Sequence, residues 1–359
     1  MHNRDKDVIF DTHYKLETSE LDYMSLEKKN VLFTKEASTW FKWTAIVMVI
    51  VSHYAEWWAW FTVEEGTREI IRFGLSRFGP YGVAVFLLFS GYGLSKSAGN
   101  KRIGLKFILK RVIGVYIPYL IMVILLEAFS GSLQSLADLS DIWYGQNFWY
   151  MTVMFSFYLA FMAIWLLFEN RHIRALLIAV FTYLYSNHLY NTGEYDFWYI
   201  SNIAFAIGVI FALYEKEVLK LNVIARTALT FVFGLGSAYA VYSALYVEHM
   251  WVEPLDEIKS RIYAVTIFTL FIVFFASVWR FYDPVGRFLG KYSLYFYLSH
   301  TFLFMWAINH YEYDMSVRFA IATVIILVVS VLLGMLITKL TDIFYQKVQL
   351  LVDFKAKKG

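Results

Sequence analysis

Residues 39–61 read TWFKWTAIVMVIVSHYAEWWAWF and form the first long apolar run of the chain. About 20 apolar residues suffice to cross a bilayer, so this run predicts a membrane helix. His53 lies near its middle, where an ionisable side chain is costly and indicates a functional residue. Lys42 lies eleven positions earlier, which places it on the same helix face about 16 Å away. We expect that face to bind two parts of one long ligand.

Composition extends this prediction to the whole chain of 359 residues. It is 59% hydrophobic and 20% aromatic, whereas soluble proteins are roughly 45–50% apolar. The sequence therefore predicts a polytopic membrane protein. The absence of cysteine excludes disulfides, thiolate metal sites and a cysteine nucleophile. The net charge of +3 is scattered along the chain, which argues against a nucleic-acid partner.

Ten apolar segments predict an all-α bundle of about ten transmembrane helices. They cover roughly residues 39–61, 80–96, 106–129, 147–168, 173–190, 197–214, 225–247, 261–279, 289–309 and 316–340. Residues 1–38 form a polar arm without the pattern of a cleavable signal. Residues 39–340 form the transmembrane domain, and 341–359 form a basic tail.

Charge in the loops predicts how the bundle is oriented. Lys and Arg concentrate in the second, fourth, sixth and eighth loops and at the C-terminus, all on one side of the bundle. By the positive-inside rule that side is cytoplasmic, so both termini are cytoplasmic and the protein spans the cell membrane. The first external loop is an exception because it carries Arg68, Arg72 and Arg77, mostly beside glutamates. Since no loop is long enough for a soluble domain, the chemistry is expected within the bundle.

Three residues are candidates for catalysis. The neutral imidazole of His53 can act as a general base on a hydroxyl or as a nucleophile that carries an acyl group. Glu56 follows by about one helical turn. It either orients the His53 ring, as the third member of a triad does, or marks the interfacial end of the span. His300 is a second histidine inside the membrane, and two of them in one bundle favour a polar cavity.

Donor-side candidates lie nearer the predicted cytoplasmic surface. Lys110 and Arg111 open the third span, and together with Lys42 they could hold phosphates; each alone is also explained as an interface anchor. Ser90 lies among small residues that allow a helix or a ligand to approach the backbone closely. We predict that all four bind one ligand that carries phosphates. No pair of side chains has metal-ligand spacing, so we expect no metal.

Four motifs occur in a fixed order along these spans. In the first, a basic residue precedes histidine by eleven positions, as Lys42 precedes His53. The second resembles GVxxFFxxSGY and includes Gly82, Val83, Phe86, Phe89, Ser90, Gly91 and Tyr92. The third resembles KRxxRxxPxY and includes Lys110, Arg111, Pro118 and Tyr119, with Gly114 replacing its second arginine. The fourth resembles LGxxSxxxYLxH and includes Leu289, Gly290, Ser293, Tyr297, Leu298 and His300. Together they resemble the integral membrane acyltransferases of family three, the bacterial O-acyltransferases.

The resemblance covers about residues 38–340 and implies a function. Such enzymes move an acyl group, commonly acetyl from acetyl-CoA, to an extracytoplasmic carbohydrate. The expected partners are therefore acyl-CoA, a cell-envelope glycan or lipid-linked sugar, and membrane lipid. Some members carry a fused extracellular hydrolase-like domain, and this chain is expected to be of the stand-alone type. The chain departs from the family in having lysine at Lys42 and in lacking a glutamate in the fourth span.

Two other functions remain open on the sequence alone. A lipid-linked sugar transferase often has acidic residues in its first external loop, where Glu64 and Glu65 lie. A glycolipid flippase or transporter would move its substrate without consuming acyl-CoA.

Overall fold

The computed structural model describes residues 31–61, 74–130, 148–246, 254–279, 282–300 and 317–356, and these residues are helical without any strand. The helices are α1 Lys35–Phe61, α2 Gly79–Ala98, α3 Leu105–Arg111, α4 Ile117–Ser130, α5 Trp149–Leu167, α6 Arg171–Asn191, α7 Ile203–Leu213, α8 Glu215–Leu219, α9 Val223–Tyr246, α10 Pro254–Val278, α11 Pro284–Gly290, α12 at residues 293–300, and α13 Val317–Ala356.

The predicted all-α membrane bundle is confirmed. Within the described ranges, seven helical segments are long and apolar enough to cross a membrane. Every one of the ten predicted spans overlaps a helix, but the count of ten and the cytoplasmic location of both termini stay predictions. Most of the predicted N-terminal arm lies outside the described residues, as do Glu64, Glu65, Arg68 and Arg72 of the first external loop.

Helix α2 lies at the centre of the bundle and contacts α1, α5, α7 and α10. Its glycines allow neighbouring backbones to approach. A Cβ on Gly82 would lie 2.6 Å from the carbonyl oxygen of Ala45 in α1. The contact with α7 is reciprocal, since a Cβ on Gly91 would meet the Phe205 carbonyl and one on Gly208 would meet the Leu88 carbonyl. Without a hydrophobic force between helices in lipid, such close packing is what holds them together.

The third span contains an irregularity directly after Arg111. Residues Val112–Tyr116 form a π-helical turn, and the Ile117 N–H donates to the carbonyl of Val112 five residues back. Pro118 explains the turn, because its ring would clash with the carbonyl four residues earlier in a regular α-helix and it has no N–H to donate. Such turns recur at functional sites.

A buried carboxylate fixes the start of α1. Glu215 is 5% exposed. It accepts hydrogen bonds from the Leu32 N–H at 2.8 Å, from the Tyr92 hydroxyl and from the Lys96 ammonium. Three donors, one of them charged, compensate the cost of removing this carboxylate from water. Residues just before α1 are thereby attached to the core beside α2 and α8.

Arg174 organises the loop between α2 and α3. Its guanidinium is fully buried, stacks over Trp165 at 4.6 Å, and donates to four backbone carbonyls. These belong to Phe168, Gly99, Asn100 and Lys101, at 2.7 to 3.3 Å. In the sequence Arg174 served only as an orientation signal. In the structure its planar guanidinium, which carries five N–H donors, fixes the loop by hydrogen-bonding to several of its carbonyls.

The last helix is longer than the sequence pattern predicted. Helix α13 runs for 40 residues to Ala356, through most of the segment predicted as a basic tail. Residues 335–356 contain no glycine or proline that would end the helix. Thr341 is 6% exposed, so the first residues past position 340 still pack against the bundle.

Gly208 provides a test of this packing. We expect Gly208→Ala to lower the free energy of unfolding by about 1–3 kcal/mol, because the new methyl group meets a backbone carbonyl that has no room to move. Gly93→Ala is the matched control, since a Cβ there meets nothing within 4 Å. Thermal unfolding of the purified proteins in detergent measures both. Equal stability of the two variants would contradict the proposed packing.

Candidate functional site

His53 and His300 form a direct pair. Nδ1 of His53 lies 2.8 Å from Nε2 of His300, and the two ring planes are nearly parallel, 9° apart, with their centroids 5.0 Å from each other along this hydrogen bond. His300 is 4% exposed, and His53 is half-buried. The two histidines that the sequence predicted independently therefore belong to one site, although 247 positions separate them.

The hydrogen bonds of this pair determine where its protons lie. Nδ1 of His300 lies 2.7 Å from the carbonyl oxygen of Tyr297 and 3.0 Å from that of Phe296. A carbonyl only accepts, so this nitrogen carries the proton, and Nε2 of the neutral ring is an acceptor. His53 must then donate from Nδ1. In the neutral pair, Nε2 of His53 consequently carries the lone pair, which is the arrangement that a general base or a nucleophile requires.

Short contacts of α11 and α12 hold His300 in place. A Cβ on Gly290 would collide with the Thr39 carbonyl of α1, so only glycine allows this approach. The Asp283 carboxylate caps α11 by accepting from the Gly286 N–H at 2.6 Å, and it also accepts from the Trp40 indole at 2.5 Å. These hydrogen bonds, the backbone one first, lower the pKa of Asp283 below its usual range. On the other side, Ser299 of α12 hydrogen-bonds to Ser330 of α13.

A cavity of about 510 Å³ is lined by His53 and by residues from the helix ends on the side predicted to be extracytoplasmic. Val49 and Tyr297 line it close to the histidine. Two kinds of side chain line the rest. The aromatic ones are Trp149 and Phe197, and the charged ones are Glu56, Arg77, Asp196 and Arg261. The Trp149 and Phe197 rings lie 5.1 Å apart, which places a broad aromatic wall beside groups that donate and accept hydrogen bonds.

Charges in this cavity are paired. Arg261 forms an ion pair with Asp196, with side chains 18% and 27% exposed. Arg77 lies 3.6 Å from Glu257. Glu56 interacts electrostatically with both arginines. The sequence left two roles open for Glu56, and one of them was to orient the His53 ring. In the structure His300 is the partner of Nδ1 of that ring. Glu56 instead faces the cavity among the arginines, and its part in catalysis stays a prediction.

A second cluster lies nearer the predicted cytoplasmic side. Lys42 and Arg111 are both half-buried and within electrostatic reach of each other. Arg111 also interacts with Tyr158 and donates to Ser97, while its Nε is buried without a hydrogen-bond partner among the described residues. Two cations held together in a partly apolar region favour an anion between them. Lys110 differs from its neighbour, because it is exposed.

Ser90 lies between the two clusters. Its hydroxyl interacts with those of Tyr150 and Tyr158. Of the seven predicted site residues, the structure places His53 and Glu56 in the lining of the outer cavity, with His300 bonded to His53 behind it. Lys42 and Arg111 form the inner cluster, and Ser90 lies between the two. No group of three His, Asp or Glu side chains in the described ranges is arranged to hold a metal ion.

Several residues of the cavity escaped the sequence analysis. Asp196 and Trp149 sit at span ends, where aromatic and polar residues are common and give no distinct signal. Arg261 carried a usable signal, because it is a cation at the external end of a predicted span, against the general charge bias. Tyr297 was noted only as part of a motif.

Comparisons with known proteins give one match. A family model described as an acyltransferase domain, acyltransferase 3, matches residues 36–339. No curated protein and no solved structure matches the chain. The matched region includes α1 through α12 and most of α13, and with them both histidines, the cavity and the inner cluster.

The Arg261–Asp196 pair yields a test of the cavity. We expect Arg261→Met and Asp196→Asn each to lower the free energy of unfolding by about 1–3 kcal/mol, because each leaves a partly buried group without its partner. The double variant should lose less than the sum of the two. Thermal unfolding of all four proteins measures this coupling. Strictly additive losses would mean that the two side chains do not interact.

Proposed function

The chain belongs to the acyltransferase 3 family, and from this membership we propose that it transfers an acetyl group from cytoplasmic acetyl-CoA to a hydroxyl of an extracytoplasmic or lipid-linked carbohydrate. The observation that carries the proposal is the histidine pair at the inner end of the cavity. It supports a reaction in which donor and acceptor arrive from opposite sides and meet at Nε2 of His53.

The donor is proposed to bind at the inner cluster. Lys42 and Arg111 hold the phosphates of acetyl-CoA by charge-assisted hydrogen bonds, and the buried Nε of Arg111 offers a donor directed into the protein. Lys110, exposed beside them, attracts the phosphates from the cytoplasmic surface. About 16 Å of helix separate Lys42 from His53, which suits the extended pantetheine arm that links the phosphates of CoA to its thioester.

Two reaction routes at His53 account for every bond and proton. As a general base, Nε2 takes the proton of the acceptor hydroxyl, the oxygen attacks the thioester carbonyl, and the C–S bond breaks. The departing thiolate then takes the proton from the imidazolium, so that an ester and CoA result. As an acyl carrier, Nε2 attacks the thioester carbonyl, the C–S bond breaks, and CoA thiolate leaves an acyl-imidazolium. The acceptor oxygen then attacks the acyl carbon, the C–N bond breaks, and the hydroxyl proton goes to the thiolate, so that an ester, CoA and neutral His53 result. In both routes His300 fixes the reactive tautomer by accepting from Nδ1.

The acceptor is proposed to bind in the outer cavity. An aromatic wall of Trp149 and Phe197 suits the apolar face of a sugar ring, and the charged groups opposite suit its hydroxyls. Because each arginine there already has a carboxylate partner, the cavity as a whole is close to neutral. Apolar surface with a few fixed polar groups is typical of small-ligand sites.

The family membership favours an acyltransferase over the two functions left open by the sequence. The glutamates that raised the sugar-transferase alternative lie outside the described residues. For the flippase alternative, the paired histidines have no evident use, since moving a lipid requires no proton acceptor with a defined tautomer.

His53→Ala is the direct test of the proposal. We expect it to reduce acetyl transfer at least about 100-fold, because it removes the group proposed as the base or the nucleophile. The assay uses purified protein in lipid, labelled acetyl-CoA and envelope extract as the acceptor, and it follows labelled product and released CoA. Circular dichroism and thermal unfolding check that the variant is folded. Normal transfer by this folded variant would overturn the mechanism, and no transfer by the wild type would overturn the function.

Two substitutions of His300 separate its positioning role from simple packing. His300→Gln keeps an acceptor near Nδ1 of His53 and should retain a measurable fraction of the transfer rate. His300→Leu fills a similar volume without an acceptor, and we expect about 100-fold less activity because the tautomer of His53 is no longer fixed. The pH profile of kcat/KM should shift in the leucine variant only. Equal rates in both variants would show that His300 acts through packing.

A further inference from the structure

We propose that Tyr150 and Tyr158, together with Ser90, bind the pantetheine arm of the acyl donor. These three side chains are called the hydroxyl seam below. The inference rests on the proposed function and adds Tyr150 and Tyr158, which were not among the predicted site residues.

The seam joins the two halves of the site. At its inner end, Tyr158 interacts electrostatically with Arg111. In its middle, Ser90 hydrogen-bonds to both Tyr158 and Tyr150. At its outer end, the Tyr150 ring packs against Tyr297 with centroids 5.1 Å apart.

Tyr297 completes the connection to the catalytic pair. It lines the cavity beside His53. Its ring centroid lies 5.8 Å from that of His300, and its backbone carbonyl accepts a hydrogen bond from Nδ1 of His300. Tyr150 and Tyr158 are eight residues apart on α5, which corresponds to about 12 Å. Both hydroxyls nevertheless reach the same Ser90 side chain, so the seam is one polar cluster located between the cationic cluster and the histidines.

The chemistry of the seam matches the arm. Pantetheine carries two amide groups separated by short alkyl segments, so it needs both donors and acceptors at intervals along an otherwise apolar path. Hydroxyl groups supply both, and tyrosine supplies apolar ring surface as well. Burying three hydroxyls among membrane helices has a desolvation cost. A role in packing alone would not require the hydroxyl groups. Phenylalanine would fill the same space at no such cost.

The test separates the arm of the donor from its phosphate end. Purified full-length protein in lipid nanodiscs is titrated with acetyl-CoA and, separately, with adenosine 3′,5′-bisphosphate, which lacks the arm. We expect Tyr158→Phe and Tyr150→Phe each to weaken acetyl-CoA binding about fivefold, as the loss of one hydrogen bond predicts. Binding of the bisphosphate should stay unchanged.

Two further variants serve as controls. Arg111→Gln should weaken both ligands, because it acts on the phosphates that they share. Tyr185→Phe removes a hydroxyl that interacts with Ser156 away from the seam and should alter neither affinity.

Each alternative result has a distinct meaning. If the wild type binds neither ligand, the proposed CoA donor is wrong and the seam proposal falls with it. If the wild type binds acetyl-CoA but both tyrosine variants bind it equally well, only the seam proposal is overturned. If the tyrosine variants weaken both ligands to the same extent, the hydroxyls act on the fold rather than on the arm, which also overturns the inference.

Discussion

The hydrogen bond between His53 and His300 requires α1 and α12 to be held so that the two ring nitrogens lie 2.8 Å apart. Neither helix achieves this alone. Gly290 lets α11 approach the backbone of α1, Asp283 caps α11 and bonds to Trp40 of α1, and α13 supports α12 from behind. A bond between residues so distant in sequence thus rests on several contacts nearer to the predicted cytoplasmic surface. The nitrogen proposed to react is positioned by the packing of four helices.

Buried charges in the described bundle fall into two groups, which differ in how completely they are satisfied. Glu215 and Arg174 have three and four hydrogen-bonded partners, and both hold chain segments in place. Arg111 and Lys42 instead lie close to each other as like charges, and one nitrogen of Arg111 lacks a partner. A fully satisfied charge stabilises structure, whereas a repelling pair is tolerated where a ligand neutralises it. A buried Nε without a hydrogen-bond partner among the described residues also occurs on Arg287, so the closeness of two like charges, rather than that nitrogen, distinguishes the proposed donor site.

Much of the fold and part of the site could be predicted from the sequence. Apolar runs of about 20 residues identify helices because lipid leaves the backbone no other partner, and a histidine inside such a run is conspicuous. The pairing of His53 with His300 could not be predicted, since local periodicity says nothing about which helices meet. The same limit hid the ion pair of Arg261. It also made Lys110 and Arg111 equivalent in sequence, although the helix turns one outward and the other inward.

The position of the histidine pair also bears on how the acyl group crosses the membrane. If the donor site ends at Tyr297 and the acceptor cavity begins at His53, the thioester and the hydroxyl meet within the bundle. The CoA portion then never has to leave the inner half, and the acceptor never has to enter it. Only the small acyl group passes the ring of His53, a movement that requires rotation of side chains rather than rearrangement of helices. Such a division is compatible with the tight glycine contacts around α2, which leave that helix no room to slide.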